Sequence, residues 1–569
     1  MTELYKTPWK DSMGVVPMHL NYPQGTMIEL IEETAKKYPN YVALNFMHSK
    51  ITYKKLVENI HKTAIAFQQL GLRENDHVVC AMPNCPQGIY AFYAVNLIGG
   101  VIHMIHPLSA EKEVLFYIND SKCKLLITID AFYKKFEPAI EEGKVEHFLL
   151  ADLKDALNPI MKLGYELTTG RKIPKVPKND RNILWKDLIK LSKGKLLEKV
   201  HKEKDDTAVI LYSGGTTGTP KGIALTNYNF NALSAQIVAT NPMFNPGDSM
   251  LAAMPLFHGF GLGVCIHSML ACGGVCILVP RFTPDSYSKL VIKYRCNFIA
   301  GVPTLFEALT RTKCMDHADL SCLKGVFSGG DSLSIELKKK FDKFLEERNA
   351  SIQIREGYGT TECVTASCLT PLTQAKEGSI GIPFPDTYYK IVKPNTDEEL
   401  PYGEEGEIVL AGPTVMKEYT NCPEETAETL HKDENGTIWL HTGDLGYMDE
   451  EGFIYFKGRI KRLIITSGYN VYPAQVENII EKHEAVQMSC VIGIPDSYKM
   501  HKVKAYVTLK TGYTPSDELK NSILAHCKKF IAKYAMPCDV EFRDSLPKTL
   551  VGKVAYRQLE EEVLASMKN

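Results

Sequence analysis

The chain has 569 residues, of which 44% are hydrophobic and 23% charged, and its formal net charge is −1. This length exceeds what one compact core accommodates, so we expect several structural units. The composition is typical of a folded, water-soluble protein, and the balanced charge gives no overall attraction to nucleic acid. The polar start of the chain lacks the apolar core of a signal peptide. These features predict a cytoplasmic protein without a nucleic-acid partner.

Fifteen cysteines are scattered along the chain without a CxxC pair, so we expect reduced thiols and no zinc site built on them. The apolar run 259–280 is long enough to cross a membrane. Its glycines and His267 instead favour a buried helix followed by a buried strand, and the run 87–107 has the same character. We therefore predict no transmembrane helix.

Helical and strand-like patterns alternate between Met27 and Asp130. Apolar residues recur at helical spacing over 56–70, and Gly71 ends that pattern. Short apolar runs predict buried strands over 78–82 and 125–129, with a helix over 90–97 between them. Such alternation is typical of an α/β domain with a largely parallel sheet.

The next region, 151–206, is rich in lysine and poor in strong strand patterns. Its basic, proline-punctuated piece 171–178 predicts an exposed, solvated insertion. The alternative is a patch that rests on anionic lipid at a membrane surface, and the sequence leaves this choice open. The α/β pattern then resumes at Ala208 and continues to about Leu372.

The last two regions differ from the first in their patterns. Residues 375–456 contain short strands with glycine and proline turns, which predict a small β-rich unit. After Arg459 we expect helices over 475–483 and 516–530 and strands over 491–494, 504–509 and 540–542. The predicted fold class is α/β: a large N-terminal domain of stacked α/β sheets with the β-rich unit (1–460) and a smaller, mobile α+β C-terminal domain (461–569).

The most informative segment is Ser213–Gly222, which reads SGGTTGTPKG and follows the strand-like run 208–212. Glycines let backbone N–H groups approach a phosphate, hydroxyls add donors, and Lys221 adds a cation. It is not a Walker A loop, because Pro220 precedes the lysine and Gly222 follows it. Alone, such a loop also fits a solvated turn. We interpret it as a triphosphate-binding loop.

Three further segments concentrate functional residue types: GYGTTE at 357–362, HTGD at 441–444 and PKTLVGKV at 547–554. The first combines a ring, two hydroxyls and a carboxylate, which suit a base, a phosphate and a hard cation. The second places a carboxylate after the strand-like run 438–440, where it can accept both hydroxyls of a ribose. The third puts a lysine in a glycine-containing loop. Each alone fits a plain turn or a solvated side chain, but the ordered set is specific.

In this order the motifs resemble those of the adenylate-forming superfamily, which includes acyl- and aryl-CoA synthetases, luciferases and the adenylation domains of peptide synthetases. The resemblance covers the chain from about Thr26 to its end, and it implies ATP, Mg²⁺ and CoA as cofactors. Its implied nucleotide- and CoA-binding positions are Ser213, Gly214, Gly215, Thr216, Thr217, Gly218, Thr219, Lys221, Gly329, Gly330, Asp331, Tyr358, Gly359, Asp444, Arg459, Lys461 and Gly468.

The resemblance also implies roles for these positions. Thr216, Thr217 and Lys221 would lie nearest the β- and γ-phosphates. Gly329 to Asp331 would form a wall of the adenine site, and Tyr358 would stack on the base. Asp444 and Arg459 would hold the ribose, Lys461 would be the hinge, and Gly468 would let pantetheine pass.

For catalysis the resemblance implies three residues and an acyl pocket. Thr361 would contact the α-phosphate, Glu362 would bind Mg²⁺, and Lys553 would be the catalytic lysine. The acyl pocket would include His258, Gly301 and Val302. Two positions depart from the pattern of many relatives: Tyr469 stands where they have glycine or histidine, and Met500-His501 stands where they have Gly-Glu.

The implied reaction joins a carboxylic acid to CoA through an acyl-adenylate, with release of pyrophosphate and AMP. The apolar, glycine-rich segments 257–263, 301–303 and 329–330 suit a hydrocarbon tunnel, so we expect a medium- or long-chain fatty acid. One alternative is an aryl-CoA ligase of the coumarate or benzoate type, and another is an enzyme that loads the acyl group onto a carrier protein. We expect a cytoplasmic enzyme, with peripheral membrane contact through the lysine-rich insertion as the open alternative.

Overall fold

The computed structural model of the protein describes residues 5–168, 170–213, 220–466, 469–496, 500–549 and 553–568. The first part of the chain alternates helices and strands, as its sequence patterns predict. Its elements in chain order are α1 (Met27–Lys37), β1 (Val42–Phe46), β2 (Ser49–Thr52), α2 (Tyr53–Gln69), β3 (His77–Ala81), α3 (Pro86–Leu97), β4 (Val101–Met104), α4 (Glu111–Ser121), β5 (Leu125–Ile129), α5 (Tyr133–Glu142), β6 (His147–Ala151), α6 (Pro159–Leu167), β7 (Asn182–Leu184), α7 (Trp185–Lys190), β8 (Thr207–Ser213), β9 (Lys221–Thr226) and α8 (Asn227–Ala239).

The middle of the chain continues this alternation and then ends in short strands. Its elements are β10 (Ser249–Ala252), a π-helix (Phe260–Ser268) that runs into α9 (Met269–Ala271), β11 (Val275–Leu278), α10 (Pro284–Tyr294), β12 (Phe298–Gly301), α11 (Pro303–Leu309), β13 (Gly325–Ser328), α12 (Ile335–Glu346), β14 (Ile354–Tyr358), β15 (Cys368–Leu369) and β16 (Ile382–Pro383).

The last part of the chain is richer in antiparallel strands. It contains β17 (Tyr388–Val392), β18 (Gly406–Ala411), β19 (Glu418–Tyr419), α13 (Pro423–Thr429), β20 (Leu430–Lys432), β21 (Ile438–Met448), β22 (Ile454–Arg459), β23 (Ile464–Thr466), β24 (Tyr469–Val471), α14 (Pro473–Glu481), β25 (Val486–Asp496), β26 (Met500–Leu509), α15 (Asp517–Cys527), β27 (Pro537–Phe542) and α16 (Tyr556–Lys568). Short 3-10 helices lie at Asp11–Met13, Asp130–Phe132, Leu153–Ala156, Gly170–Lys172, Lys313–Met315, Thr361–Cys363 and Ile460–Arg462.

Two large sheets form the N-terminal domain. One has nine strands in the order β16-β15-β14-β13-β12-β10-β11-β1-β2, and its strands from β14 to β1 are parallel. The other has eight strands in the order β19-β9-β8-β4-β3-β5-β6-β7, parallel from β8 to β7. Helix α3 is apolar on all sides, and all of its residues except the partly buried Leu97 are buried, in a hydrophobic cluster that joins both sheets.

Two smaller sheets follow. Strands β17, β18, β21, β20 and β22 form the predicted β-rich unit, and all their pairs are antiparallel. Strands β24, β23, β26, β25 and β27 form a separate sheet, which packs with α14 and α15 around its own hydrophobic cluster. The predicted α/β class, with a large N-terminal and a smaller C-terminal domain, is confirmed. The boundary at 460/461 stays a prediction.

The apolar run 259–280 has the predicted buried helix and buried strand, since the π-helix and β11 occupy it. Its histidine, His267, is a core residue whose ring nitrogens contact the Tyr93 hydroxyl at 3.0 Å and the Asn231 side-chain Oδ1 at 3.1 Å. Burial lowers the pKa of His267 to about 3, so the ring is neutral. Within the described residues, no helix combines the length and apolarity needed to cross a membrane.

One local prediction was wrong. The HTGD segment does not follow a strand; it lies inside β21, which continues to Met448 because β18 and β22 supply hydrogen-bonding partners on both sides. The lysine-rich region 151–206 contains α6, β7 and α7, and its basic piece 171–178 is mostly exposed. Strand β7 is too short to give a sequence pattern and forms only because β6 offers it a parallel edge.

Candidate active site

Neighbouring parallel strands bring the predicted adenine and acyl residues together. The register pairs Gly301 with Ser328 across β12 and β13, so Val302 and Gly329 follow at the same edge of the sheet. Strand β14 ends beside them with Tyr358. The Gly329 N–H donates to the Gly301 carbonyl oxygen at 3.0 Å. The carboxyl ends of parallel strands are where ligands bind in open α/β sheets.

Two glycines at this edge have physical reasons to be glycine. Gly330 has φ +80°, in the left-handed region, and a Cβ there would lie 3.6 Å from Lys553 Cε. A Cβ on Gly359 would lie 2.5 Å from the Thr365 carbonyl oxygen, which is closer than atoms can approach. Both positions therefore require the absence of a side chain, either for backbone conformation or for space.

A bulge in β21 carries Asp444. Glu407 pairs with Leu445 and Val409 pairs with His441. An advance of two residues along β18 therefore corresponds to four residues along β21. Gly443 lies among the extra residues of the bulge and has φ +69°, and its N–H donates to Glu407 Oε1 at 2.9 Å. Bulges redirect side chains at functional sites. Here the bulge places the Asp444 carboxylate on the wall of a cavity of about 610 Å³, which residues of both domains line.

The Asp444 carboxylate is buried and incompletely satisfied. Its Oδ2 accepts the Tyr358 hydroxyl at 2.7 Å. Its Oδ1 lies 3.2 Å from Arg459 Nε in an ion pair, yet it accepts no hydrogen bond from any residue that the structure describes. Burial raises the pKa of Asp444, and the Arg459 charge opposes that rise. A buried carboxylate oxygen that lacks a donor suits a hydroxyl group of a ligand.

Glu362 lies in a cluster with a tyrosine and the lysine of the phosphate-loop motif. The Tyr419 hydroxyl donates to Glu362 Oε1 at 2.8 Å. Lys221 begins β9 and lies over the Tyr419 ring, 5.2 Å from its centroid, and 3.5 Å from Glu425 Oε1. Thr361 starts the 3-10 helix that also holds Glu362. The structure thus brings the predicted metal-binding carboxylate close to one end of the predicted phosphate loop.

Lys553 enters the same site from the C-terminal domain. It closes a hairpin in which its N–H donates to Thr549 Oγ1 at 3.1 Å and its carbonyl oxygen accepts the Thr549 N–H at 2.7 Å. Burial lowers the pKa of Lys553, while the carboxylates of Asp331, Asp444 and Glu362 act in the opposite direction. One lysine therefore faces carboxylates from three separate segments of the N-terminal domain.

His258 is held neutral beside the same lysine. Burial, with a smaller contribution from the Lys553 charge, lowers the pKa of His258 to about 3. The Phe260 N–H donates to its Nδ1 at 3.2 Å, so the neutral ring carries its proton on Nε2. The glycines that follow it do not open a channel, since a Cβ on Gly261 would lie 2.1 Å from the Pro255 carbonyl oxygen. They instead permit close packing of the π-helix.

Several predicted positions lie outside the described residues, namely Gly214, Gly215, Thr216, Thr217, Gly218, Thr219 and Gly468. Their flanks are described: Ser213 ends β8 and pairs with Lys221 at the start of β9. Lys461 is exposed in the 3-10 helix Ile460–Arg462. Of the two departures, Tyr469 stacks on Tyr534 with ring centroids 4.6 Å apart, and Met500 has φ +66°.

The sequence reading missed Glu356, which is buried in the middle of β14 and lines the cavity. Its Oε1 accepts the Leu333 N–H at 3.0 Å, which holds the segment that includes Asp331. Burial raises the pKa of Glu356 to about 8. A charged residue directly before the GYGTTE motif was the available signal, because a carboxylate within a buried strand needs a specific partner.

Comparisons with known proteins agree with this geometry. The model of the AMP-binding enzyme family matches residues 31–420, and that of the AMP-binding enzyme C-terminal domain matches 475–553. The chain is 36% identical over 567 residues to the long-chain-fatty-acid–CoA ligase of Bacillus subtilis strain 168, with 98% of each chain covered. It is 32% identical over 566 residues to the enzyme of that name from Escherichia coli O6:H1, covering 97% of this chain and 98% of the relative.

Solved structures show the same fold. ATP-bound MatB from Rhodopseudomonas palustris superposes with a TM-score of 0.80 at 26% identity, covering 94% of this chain and 99% of that one. The anthranilate CoA ligase AuaEII in complex with anthranoyl-AMP gives a TM-score of 0.83 at 24% identity, covering 97% of this chain and 99% of that one. The predicted resemblance is confirmed, and the chain belongs to the AMP-binding enzyme family.

Proposed function

We propose that the protein is an AMP-forming ligase that joins a long-chain fatty acid to CoA through an acyl-adenylate. The observation that carries this proposal is that Asp444 and Lys553 line one cavity between the domains and that the Glu362 carboxylate acts on the same lysine. The long-chain-fatty-acid–CoA ligases at 32–36% identity over nearly the whole chain support the choice of acid. ATP and CoA are the co-substrates, and Mg²⁺ accompanies ATP.

The nucleotide binds along the edge formed by β12, β13 and β14. Asp444 Oδ1, which no described donor satisfies, accepts a ribose hydroxyl, with Arg459 beside it. Tyr358 stacks on the base, and Gly329 and Gly330 form the wall beside it. The loop between Ser213 and Lys221 holds the phosphates.

The carboxylate of Glu362 fits a hard cation, because Mg²⁺ prefers oxygen ligands and one Glu362 oxygen is already oriented by Tyr419. Mg²⁺ bound there would supply positive charge to the phosphates. The chain itself supplies Lys553, whose ammonium group stabilises charge at the α-phosphate as the substrate carboxylate attacks. Thr361 donates to the same phosphate. Two anions must meet in this step, so positioned cations and donors contribute most of the rate.

The second step needs the CoA thiol to reach the acyl-adenylate. Lys553 stands in the cavity, so we propose that the C-terminal domain (461–569) rotates about Lys461 and that pantetheine passes Gly468. Lys461→Pro fixes φ at the hinge and would hold one domain pose. We expect acid-dependent pyrophosphate exchange to persist while thioester formation falls at least ten-fold further. Equal losses in both reactions would contradict the hinge.

The substrate assignment is tested by AMP release with ATP, Mg²⁺ and CoA across acetate, octanoate, palmitate, benzoate and coumarate. A maximum at palmitate that depends on CoA supports the proposal. A maximum at benzoate or coumarate would replace it with an aryl-CoA ligase, for which His258 is the first pocket residue to substitute. Pyrophosphate release that ignores CoA would indicate an enzyme that loads a carrier protein.

The lysine-rich insertion supports a peripheral contact with membranes, from which a long-chain acid is collected. Helix α6 exposes Ile160, Leu163 and Leu167 on one face, with 84%, 59% and 53% of each residue accessible. Positions 160, 163 and 167 are i, i+3 and i+7, so they form one apolar stripe, while Met161 and Tyr165 on the opposite face pack into the core.

Exposed basic residues follow this stripe directly, at Arg171, Lys172, Lys175 and Lys178. An apolar stripe flanked by basic residues suits binding to an anionic lipid surface, where each basic residue near the surface contributes about 1 kcal/mol of binding free energy. We therefore expect the protein to sediment with vesicles that contain phosphatidylglycerol and not with phosphatidylcholine alone. Replacement of the three stripe residues by glutamine should abolish this binding. Phe530→Gln, which changes an exposed apolar residue of the C-terminal domain, is the control.

Unchanged vesicle binding by the triple variant would refute the α6 contact, and it would leave the ligase assignment untouched because the AMP-release assay does not depend on vesicles.

A further inference from the structure

Two histidines meet on one face of the β-rich unit. His431 lies in β20 and pairs across the ladder with Trp439 in β21. His441 is two residues further along β21, so it lies on the same face as Trp439 and diagonal to His431. The two imidazole rings have centroids 4.0 Å apart.

A carboxylate from a loop completes the group. Asp397 Oδ1 lies 2.8 Å from His431 Nδ1 and 3.1 Å from His441 Nε2. The three donor atoms all lie within 4.8 Å of one another. One oxygen therefore faces two ring nitrogens, from three segments of chain that are separated in sequence.

The ring of His441 is fixed by a second carboxylate behind it. Its Nδ1 lies 3.2 Å from Glu407 Oε2, and both side chains are almost completely buried. A neutral imidazole has one proton and here faces two carboxylates, so one of the two contacts needs an additional positive charge. If Nδ1–H donates to Glu407, the Nε2 lone pair points towards Asp397 and His431. Metal-binding histidines characteristically donate their other N–H to a carboxylate in this way.

We propose that Asp397, His431 and His441 form a binding site for a divalent transition-metal ion of the zinc class, with water in the remaining position. Two imidazole nitrogens and one carboxylate oxygen suit Zn²⁺, Co²⁺ or Ni²⁺ and disfavour Mg²⁺ and Ca²⁺, which prefer oxygen ligands. With ligand distances of about 2.0–2.2 Å, tetrahedral donors stand roughly 3.3 Å apart. The separations of 2.8 and 3.1 Å from Asp397 to the two rings are near this value, and all three ligand atoms lie within 4.8 Å of one another.

The exposure of the group suits a site that loads from solvent. The side chain of Asp397 is 64% accessible, that of His431 33%, and that of His441 only 7%. The ion can thus enter past Asp397, while His441 remains anchored on the sheet. This site involves no cysteine and so differs from the zinc sites that the cysteine spacing excluded.

The site is linked to the nucleotide-binding bulge through Glu407. One Glu407 oxygen contacts His441 Nδ1, and the other accepts the Gly443 N–H at 2.9 Å. Gly443 directly precedes Asp444. Glu407 is therefore a positioning residue for both the proposed metal ligand His441 and the bulge.

The test uses the full-length protein, treated with a chelator and then freed of it, without nucleotide or Mg²⁺. Co²⁺ is titrated while its visible absorption is recorded, and Zn²⁺ is then added in competition. We expect one equivalent of Co²⁺ with the absorption of a site of low coordination number, displaced by Zn²⁺ and unaffected by millimolar Mg²⁺. His431→Gln and Asp397→Asn should each weaken binding at least ten-fold, and Glu407→Gln about 10–100-fold.

Two matched controls exclude adventitious binding. His201→Gln removes an exposed histidine that lies 2.9 Å from Glu203 without a third ligand among the described residues, and Cys538→Ser removes the exposed cysteine. Both variants should bind Co²⁺ as the unmodified protein does. The proposal is overturned if the unmodified protein binds no Co²⁺ or Zn²⁺, or if His431→Gln and Asp397→Asn bind with unchanged stoichiometry and affinity. Because no step involves an acid substrate, these results are independent of the ligase assignment.

Discussion

Lys553 offers the sharpest test of the proposed chemistry, through the substitution Lys553→Met. Methionine keeps much of the aliphatic stem, which packs near Gly330, and removes only the charge. Burial lowers the pKa of Lys553, so its ammonium group is poorly hydrated in the site. A poorly hydrated cation interacts strongly with charge that develops next to it, because little solvent screens it.

The expected loss follows from this environment. Removal of one preorganised charged contact from a water-excluded site reduces the rate on the order of 10²–10³-fold, or about 2.7–4 kcal/mol of transition-state stabilisation. We expect this loss in the single-turnover rate of pyrophosphate release. The formation of acyl-CoA from supplied acyl-adenylate should change much less, because the lysine acts on the first step.

Lys548→Met is the matched control. Lys548 lies in the same hairpin, where it forms a bridge with Val554, and burial also lowers its pKa. It is not among the carboxylate-facing residues described above, so its substitution should leave pyrophosphate release within a few-fold of the unmodified rate. Equal losses in both half-reactions, or equal losses in Lys548→Met and Lys553→Met, would refute the assigned role.

Three further outcomes are expected. Burial raises the pKa of Glu356 from 4.5 to about 8, so folding takes up a proton between these pH values and the free energy of unfolding falls as pH rises through this window. Glu356→Gln lacks this loss, so the thermal midpoint of the variant minus that of the unmodified protein should increase from about pH 5 to about pH 8. A constant difference would contradict the assigned burial. Met500 has φ +66°, so Met500→Gly should raise stability by up to about 1 kcal/mol in denaturant titrations, whereas Met500→Ala should not. A Cβ on Gly443 meets nothing within 4 Å, so Gly443→Ala should act through backbone strain alone. It should lower the free energy of unfolding by about 1–2 kcal/mol and raise KM for ATP. The control Gly436→Ala, also at positive φ, should show the same loss of stability without a change in KM.

Local patterns predicted much of the fold because parallel strands and buried helices are apolar over continuous stretches. Strand β5 has the predicted bounds, and α2 covers most of the predicted 56–70 helix. The bulge at Asp444 could not be read in this way, because it exists only relative to the register of β18. A strand long enough to run through the HTGD segment depends on partners that the segment itself does not encode.

The candidate site likewise has a part that local sequence patterns predict and a part that they do not. The residue types in the motifs indicated Tyr358, Glu362, Asp444 and Lys553, because the functional residues of each motif lie within a few positions of one another. Pairs that form across the fold gave no such signal. His431 and His441 meet because β20 returns beside β21, and Asp397 reaches them from a loop 34 residues before His431. Glu356 was missed for a related reason, because its burial depends on the packing of a segment far from β14.

The hairpin that carries Lys553 has a consequence for the order in which the enzyme becomes active during synthesis. Translation completes the walls of the proposed nucleotide site, from Ser213 to Arg459, well before it reaches this lysine. A nascent chain can therefore fold its large domain before it contains the lysine on which the proposed activation of an acid depends.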